Sequence, residues 1–157
     1  MITTREIIST GVTLDDFKRH LRITNNVFDT DLDEKLKAAH RVAEHYIGQI
    51  LMKSRIVETM EFCGVVSLSA PLDSVTSVKL NNVDIPFTAT GNTLVIPGTM
   101  EGTMEVDYIA GKDTIEYDIK VAILLIASDM FNNPVDRVEQ LPRSSQMLLR
   151  PYRRYGR

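Results

Sequence analysis

A single cysteine, Cys63, excludes an internal disulfide and any cysteine-based metal cluster. It falls in a strand-like stretch, where a buried or half-buried thiol is the plain expectation. Long apolar runs are also missing. The two longest, Val121 to Ala127 and Tyr46 to Met52, are far shorter than the ~20 residues of a bilayer-spanning helix, and charges flank both. The opening Met1-Ile2-Thr3-Thr4-Arg5-Glu6 has an acid where a secretory leader has bases and then an apolar stretch, so the cytoplasm is the expected compartment.

Chemistry is equally scarce. No Gly-rich phosphate cradle exists, because Gly91, Gly98, Gly102 and Gly111 are scattered among turns between strands. Ser144-Ser145 has no histidine close by in sequence with which to build a nucleophile. Asp29, Asp31 and Asp33 superficially match a calcium loop, but the glycine turn is missing and His40 stands where the distal glutamate would be. These acids fit a helix start better. His40, Glu44 and His45 form the nearest thing to a metal cluster, yet only His40 and Glu44 are four apart, and His45 lies about 100° further round the helix. A solvated helix face is preferred there. No catalytic, metal or cofactor residue is assigned, and a hydrolase built on Asp or His ranks last among the functions considered.

What is present is enough apolar content, 43%, for one substantial core with a possible insert. Thr13 precedes an amphipathic run from Leu14 to Arg22, with acids first and bases last, which predicts a short capped helix. Thr30 is the expected cap of a longer helix carrying Leu32, Leu36, Ala39, Ala43, Tyr46, Ile47 and Ile50 to about Leu51, with Gly48 as an interruption. From Ser54 the composition shifts to β-branched residues with turn punctuation. Strands are predicted over 55–62, 65–69, 75–80, 85–89, 93–96 and 102–109, with a tight turn at Asn81-Asn82 and another at Cys63-Gly64. Helical spacing returns from Ile115 to Met130 and stops at Asn132-Asn133-Pro134; a last short helix runs from Pro142 to Pro151. The fold class is α+β: a small bundle of about four helices, from 1–54 and 113–157, with a mostly antiparallel β-unit, 55–112, inserted between the second and third.

The net charge of −3 is unevenly spread. Residues 143–157 hold five arginines and no acid, which leaves 13 bases against 21 acids, a net of −8, for residues 1–142. In the closing run Pro151 is expected to stop the helix, and tyrosine with arginine supplies the side chains most enriched at binding hot spots. The chain beyond Pro151 is expected to have few neighbours in an isolated subunit and to order on a partner.

The opening Val12-Thr13-Leu14-Asp15-Asp16-Phe17-Lys18-Arg19-His20-Leu21-Arg22-Ile23, then Asp31 to Ala39 and Ala43-Glu44-His45-Tyr46-Ile47-Gly48, resembles the start of phage head-to-tail connector (adaptor) proteins. Asp118 to Ala127, Asn132-Asn133-Pro134, and Leu141-Pro142 through Leu148-Leu149-Arg150-Pro151-Tyr152-Arg153-Arg154 are similar to the family's last helix and its ending. The resemblance implies a non-catalytic virion protein at the head-tail junction, present in host cytoplasm during assembly. It implies a homo-oligomeric ring beneath the portal vertex that extends the channel, through which DNA passes without sequence-specific binding. A tail-side connector or head-closure protein would sit on it, with no membrane and no cofactor. Residues 55–112 stand where longer relatives carry an insert. On this reading Arg150, Pro151, Tyr152, Arg153, Arg154, Tyr155 and Arg157 bind the portal protein. The alternative is a nucleic-acid-binding or DNA-packaging accessory protein, with Arg150, Arg153, Arg154 and Arg157 on phosphates and Tyr152 and Tyr155 stacking on bases. The acidic body weighs against it.

Overall fold

A computed structural model describes residues 2–63, 65–68, 70, 72–98, 101–133 and 141–153. The chain forms two units, one from Gly11–Leu51 with Thr114–Arg157, the other from Met1–Thr10 with Met52–Asp113.

The first unit is helical. Helix α1, Leu14–Leu21, opens on a full capping box: Thr13 Oγ1 accepts the Asp16 N–H and Asp16 Oδ2 accepts the Thr13 N–H, both at 3.2 Å. Asp16 also meets Lys120 Nζ at 3.0 Å, tying α1 to the third helix. Partial burial works to raise the Asp16 carboxyl, but Lys120 and the Thr13 hydrogen bonds hold it below the usual carboxylate range. Helix α2, Asp29–Ile47, starts one residue before the expected cap, so Thr30 lies inside it and no side chain caps its first turn. It also ends sooner than the apolar spacing predicts. Gly48 terminates it in the left-handed region, φ 73°, where glycine pays no Cβ penalty, and its N–H bonds the Glu44 carbonyl. The Glu44 carboxylate then takes the Leu51 N–H at 2.8 Å, holding the outgoing chain.

Helix α3, Tyr117–Asn132, and helix α4, Arg143–Leu149, complete the bundle. Phe17, Leu32, Leu36, Ala43, Ile47, Ile119, Ile123, Ile126 and Leu149 meet in one core. The amphipathic stripes of α2 and α3 thus bury each other, which removes apolar surface from water at roughly 25 cal/mol per Å². Pro134, expected to help stop α3, lies outside the described residues.

The second unit is built of strands β1 (Ile2–Ser9), β2 (Lys53–Cys63), β3 (Val65–Ser67), β4 (Leu72–Leu80), β5 (Val83–Asp84), β6 (Thr88–Thr90), β7 (Thr93–Val95) and β8 (Glu101–Ala110). A five-stranded antiparallel sheet runs β1-β2-β8-β4-β5, and a three-stranded one runs β3-β7-β6. Alternation along β2 and β8 buries Ile56 opposite Tyr108, while Val78 of β4 lies buried opposite Val106. Asn81 and Asn82 both take positive φ, 50° and 66°, as a tight hairpin between β4 and β5 requires. The strand expected over 85–89 divides instead into β5 and β6 around Pro86, which has no N–H to give a ladder. The turn expected at Cys63-Gly64 involves Gly64, which lies outside the described residues.

The architecture is therefore α+β, with four helices and antiparallel sheets, but the element order departs from a single insert. The first ten residues, expected with the helices, pair with β2 from Thr4↔Val57 to Ile7↔Ser54 and belong to the sheet. Strand β1 precedes α1, and β2 to β8 lie between α2 and α3.

Candidate docking surface

Helix α4 is short, and its side chains fix it at both ends. Ser145 Oγ donates to the Pro142 carbonyl at 3.0 Å, and Gln146 Nε2 donates to the Leu141 carbonyl at 2.8 Å. Ser145 and Leu149 are buried against the core, which turns Arg143, Met147 and Arg150 outward at helical spacing. Pro151 does not end the helical backbone abruptly. It sits in a 3-10 turn, Arg150–Tyr152, closed by the Arg153 N–H on the Arg150 carbonyl at 3.2 Å.

That turn carries the chain back onto its own unit. Tyr152 is half-buried against the helical core; its hydroxyl donates to Asp118 Oδ2 at 3.3 Å, and its carbonyl accepts from Gln49 Nε2 at 3.0 Å. Burial, then the Asp118 and Glu116 carboxylates, push the Tyr152 phenol up from its ordinary value. The Arg153 guanidinium lies over the Tyr46 ring, 5.2 Å from its centroid, in cation–π geometry. The expectation of few neighbours after Pro151 is therefore corrected for Tyr152 and Arg153. Their partners lie far back in sequence, on and after α2 and at the start of α3. Arg154, Tyr155 and Arg157 lie outside the described residues.

Tyr46, Arg143, Gln146, Met147, Arg150 and Arg153 together line an open groove of about 340 Å³. Among the described residues its lining holds three arginines and no carboxylate. Among the described residues no acid pairs with Arg143 or Arg150. Of the residues assigned from sequence to a partner, the structure brings Arg150 and Arg153 into this groove and turns Tyr152 toward Asp118. Tyr46, Gln146 and Met147 were not singled out from sequence. The signal for Met147 was there, since Arg143, Met147 and Arg150 recur at four and three residues.

The other candidate, His40 with Glu44, is no solvated face. Both are buried, and His40 Nδ1 donates to the Leu36 carbonyl at 2.8 Å while Nε2 is buried without a partner. Burial pushes the imidazole below its ordinary value. His45 is exposed on another side of α2, and among the described residues no three His, Cys, Asp or Glu side chains gather as a metal site. No described helix is long and apolar enough to cross a membrane.

A family model described as phage gp6-like head-tail connector protein matches residues 12–153. No curated protein matches the chain by sequence. Among solved structures, a chain in the neck of a native GTA particle computed with C12 symmetry is similar, with TM-score 0.80 and 18% identity over 99% of this chain and 96% of that one. A chain in the neck of an empty GTA particle computed with C6 symmetry gives 0.77 at 18% identity, covering 98% and 97%. A chain in the virion of a native gene transfer agent particle gives 0.79 at 16% identity, again covering 98% and 97%. At these identities the likeness is one of fold, and it extends over nearly the whole of each chain.

Proposed function

We propose, from the premise that this chain belongs to the phage gp6-like head-tail connector proteins, that it forms a ring beneath the portal and docks there through its arginine-rich end. Its work is structural: it joins capsid to tail at the head-tail junction of the virion. The observation that carries the docking assignment is the groove on α4, where Arg150 and Arg153 stand together and no carboxylate lines it among the described residues. Arginine forks desolvate well and pair with carboxylates or backbone carbonyls, which suits a protein partner. The similar chains come from necks computed with twelvefold and sixfold symmetry, and a closed ring of this chain on the order of a dozen copies is the matching reading. A tail-side connector or head-closure protein takes the ring's other end, and DNA passes through it.

The residues of the portal contact are Arg150, Pro151, Arg153, Arg154, Tyr155 and Arg157, with Tyr152 as the pivot that anchors the segment to Asp118 and Gln49. The test pairs two variants, a truncation that removes 154–157 and the exchange Arg153→Glu, with the portal protein of the same particle and with duplex DNA. Both leave Tyr152 in place and so keep the helical fold. Portal binding should weaken by about tenfold or more in each. If portal binding is unchanged while a salt-sensitive DNA affinity is lost, with a slope near 0.9 per phosphate contacted, the accessory DNA-binding reading replaces this one.

A further inference from the structure

Helix α3 is apolar on nearly every side. Ile119, Ala122, Ile123 and Ile126 lie in the core, yet the outward face opens on Tyr117, 87% exposed, followed one turn later by Val121, 42% exposed. Leu125, half-buried, continues the same stripe. Exposed Asp118 and Asp129 border it. A helix built for an interior that leaves a tyrosine and a valine in water carries an interaction surface.

Helix α4 bears a surface of matching chemistry. Met147 is 76% exposed, opposite the buried Ser145 and Leu149, and exposed Arg143 lies one turn before it. An unbranched thioether adapts to the shape it meets, and the neighbouring Arg143 guanidinium supplies a positive charge, whereas the lysine beside the α3 stripe, Lys120, is held by Asp16.

We propose that the Tyr117–Val121 face of one copy packs on the Arg143–Met147 face of the next, and that this is the contact that repeats around the ring. The inference rests on the ring reading and names its interface, leaving Arg150 to the portal-facing segment. Charge complementarity selects a second copy as the occupant: an acid-bordered apolar stripe meets a base-bordered apolar knob. Each face set against itself would oppose like charges, so the contact joins two different faces, as closure into a ring demands.

The test uses cysteine pairs in a Cys63→Ser background, in the assembly bound to portal. Val121→Cys with Met147→Cys, treated with a short bis-maleimide, should yield a ladder of covalently joined copies: dimer, trimer and upward. Either cysteine alone should give no ladder. A control pair, Val83→Cys on exposed β5 with Met147→Cys, sets the background. Adding Arg143→Asp to the working pair should lower the ladder yield by about tenfold, while the helical circular dichroism of this exposed variant stays unchanged. A ladder no stronger than the control overturns the interface. If rings are still seen by electron microscopy in that case, the ring reading stands and only the faces are wrong; if rings are absent too, both fall.

Discussion

The helical unit and the β unit differ in charge more than in size, 85 residues against 72. The β unit holds five bases and nine acids, a net of −4, whereas the helical unit holds 13 bases and 12 acids. Without residues 143–157 the helical unit holds eight bases and 12 acids, so the −8 of the body is shared equally between the two units. The five arginines of residues 143–157 bring the helical unit close to neutral, and the groove gathers three of them on one face. Each unit also buries polar groups. In the β unit Glu58 is 1% exposed and accepts the hydroxyl of fully buried Tyr108 at 2.8 Å; in the helical unit His40 buries a ring nitrogen with no partner. The carboxylate and the phenol pair with each other, whereas the lone imidazole nitrogen requires its ring to stay neutral.

The largest effect should come from the helical side of that contrast. Ile123→Ala empties the centre of the α2–α3 contact and should cost about 3–4 kcal/mol, read as a lower denaturant midpoint and lost amide protection in α2 and α3. A loss under 1 kcal/mol would show that the helical core is looser than its burial implies. In the β unit, Tyr108→Phe removes the hydroxyl that Glu58 accepts and should cost about 1–3 kcal/mol, with protection falling first along β2 and β8. A neutral outcome would mean the pair is dispensable and the sheet is held by its ladders alone.

The smallest effect is one of pH. Burial holds the His40 imidazole below its ordinary 6.5, against the opposing pull of the Leu36 carbonyl and the Glu44 carboxylate. As pH falls below about 6.5 the unfolded chain takes up that proton first, so stability should decline by up to roughly 1.4 kcal/mol per pH unit until the folded pKa is reached. His40→Leu should flatten the slope between pH 7 and pH 5 in denaturant titrations. An unchanged slope would assign the pH response to other groups.

These differences also explain what could be read in advance. The stripes of α2 and α3 and the Thr13 cap are local signals, written within a turn or two, and they locate most of the helical core. His40 and Glu44 were misplaced because they are polar; only the fold shows that they face inward beside Leu36 and Leu51. Strand β1 was missed because Ile7 and Ile8 are adjacent and break the alternation, and its reason for being a strand is β2, about fifty residues on. The arginine end was legible as a binding element from its composition. Its fold-back was not, because Tyr46, Gln49 and Asp118 are separated from it by 34 residues or more.

Strand β1 has a consequence for anyone wishing to pare this protein down. Because the sheet draws on both Met1–Thr10 and Met52–Asp113, the backbone passes between the units three times, after Thr10, after Leu51 and after Asp113. Excising residues 52–113 would strand Ile2–Ser9 without a neighbour, leaving an unpaired ribbon of hydrogen-bonding groups with the exposed Ile7 and Ile8 ready to recruit other chains. A helical miniature therefore needs two cuts, and the β unit on its own needs a new join between Thr10 and Met52.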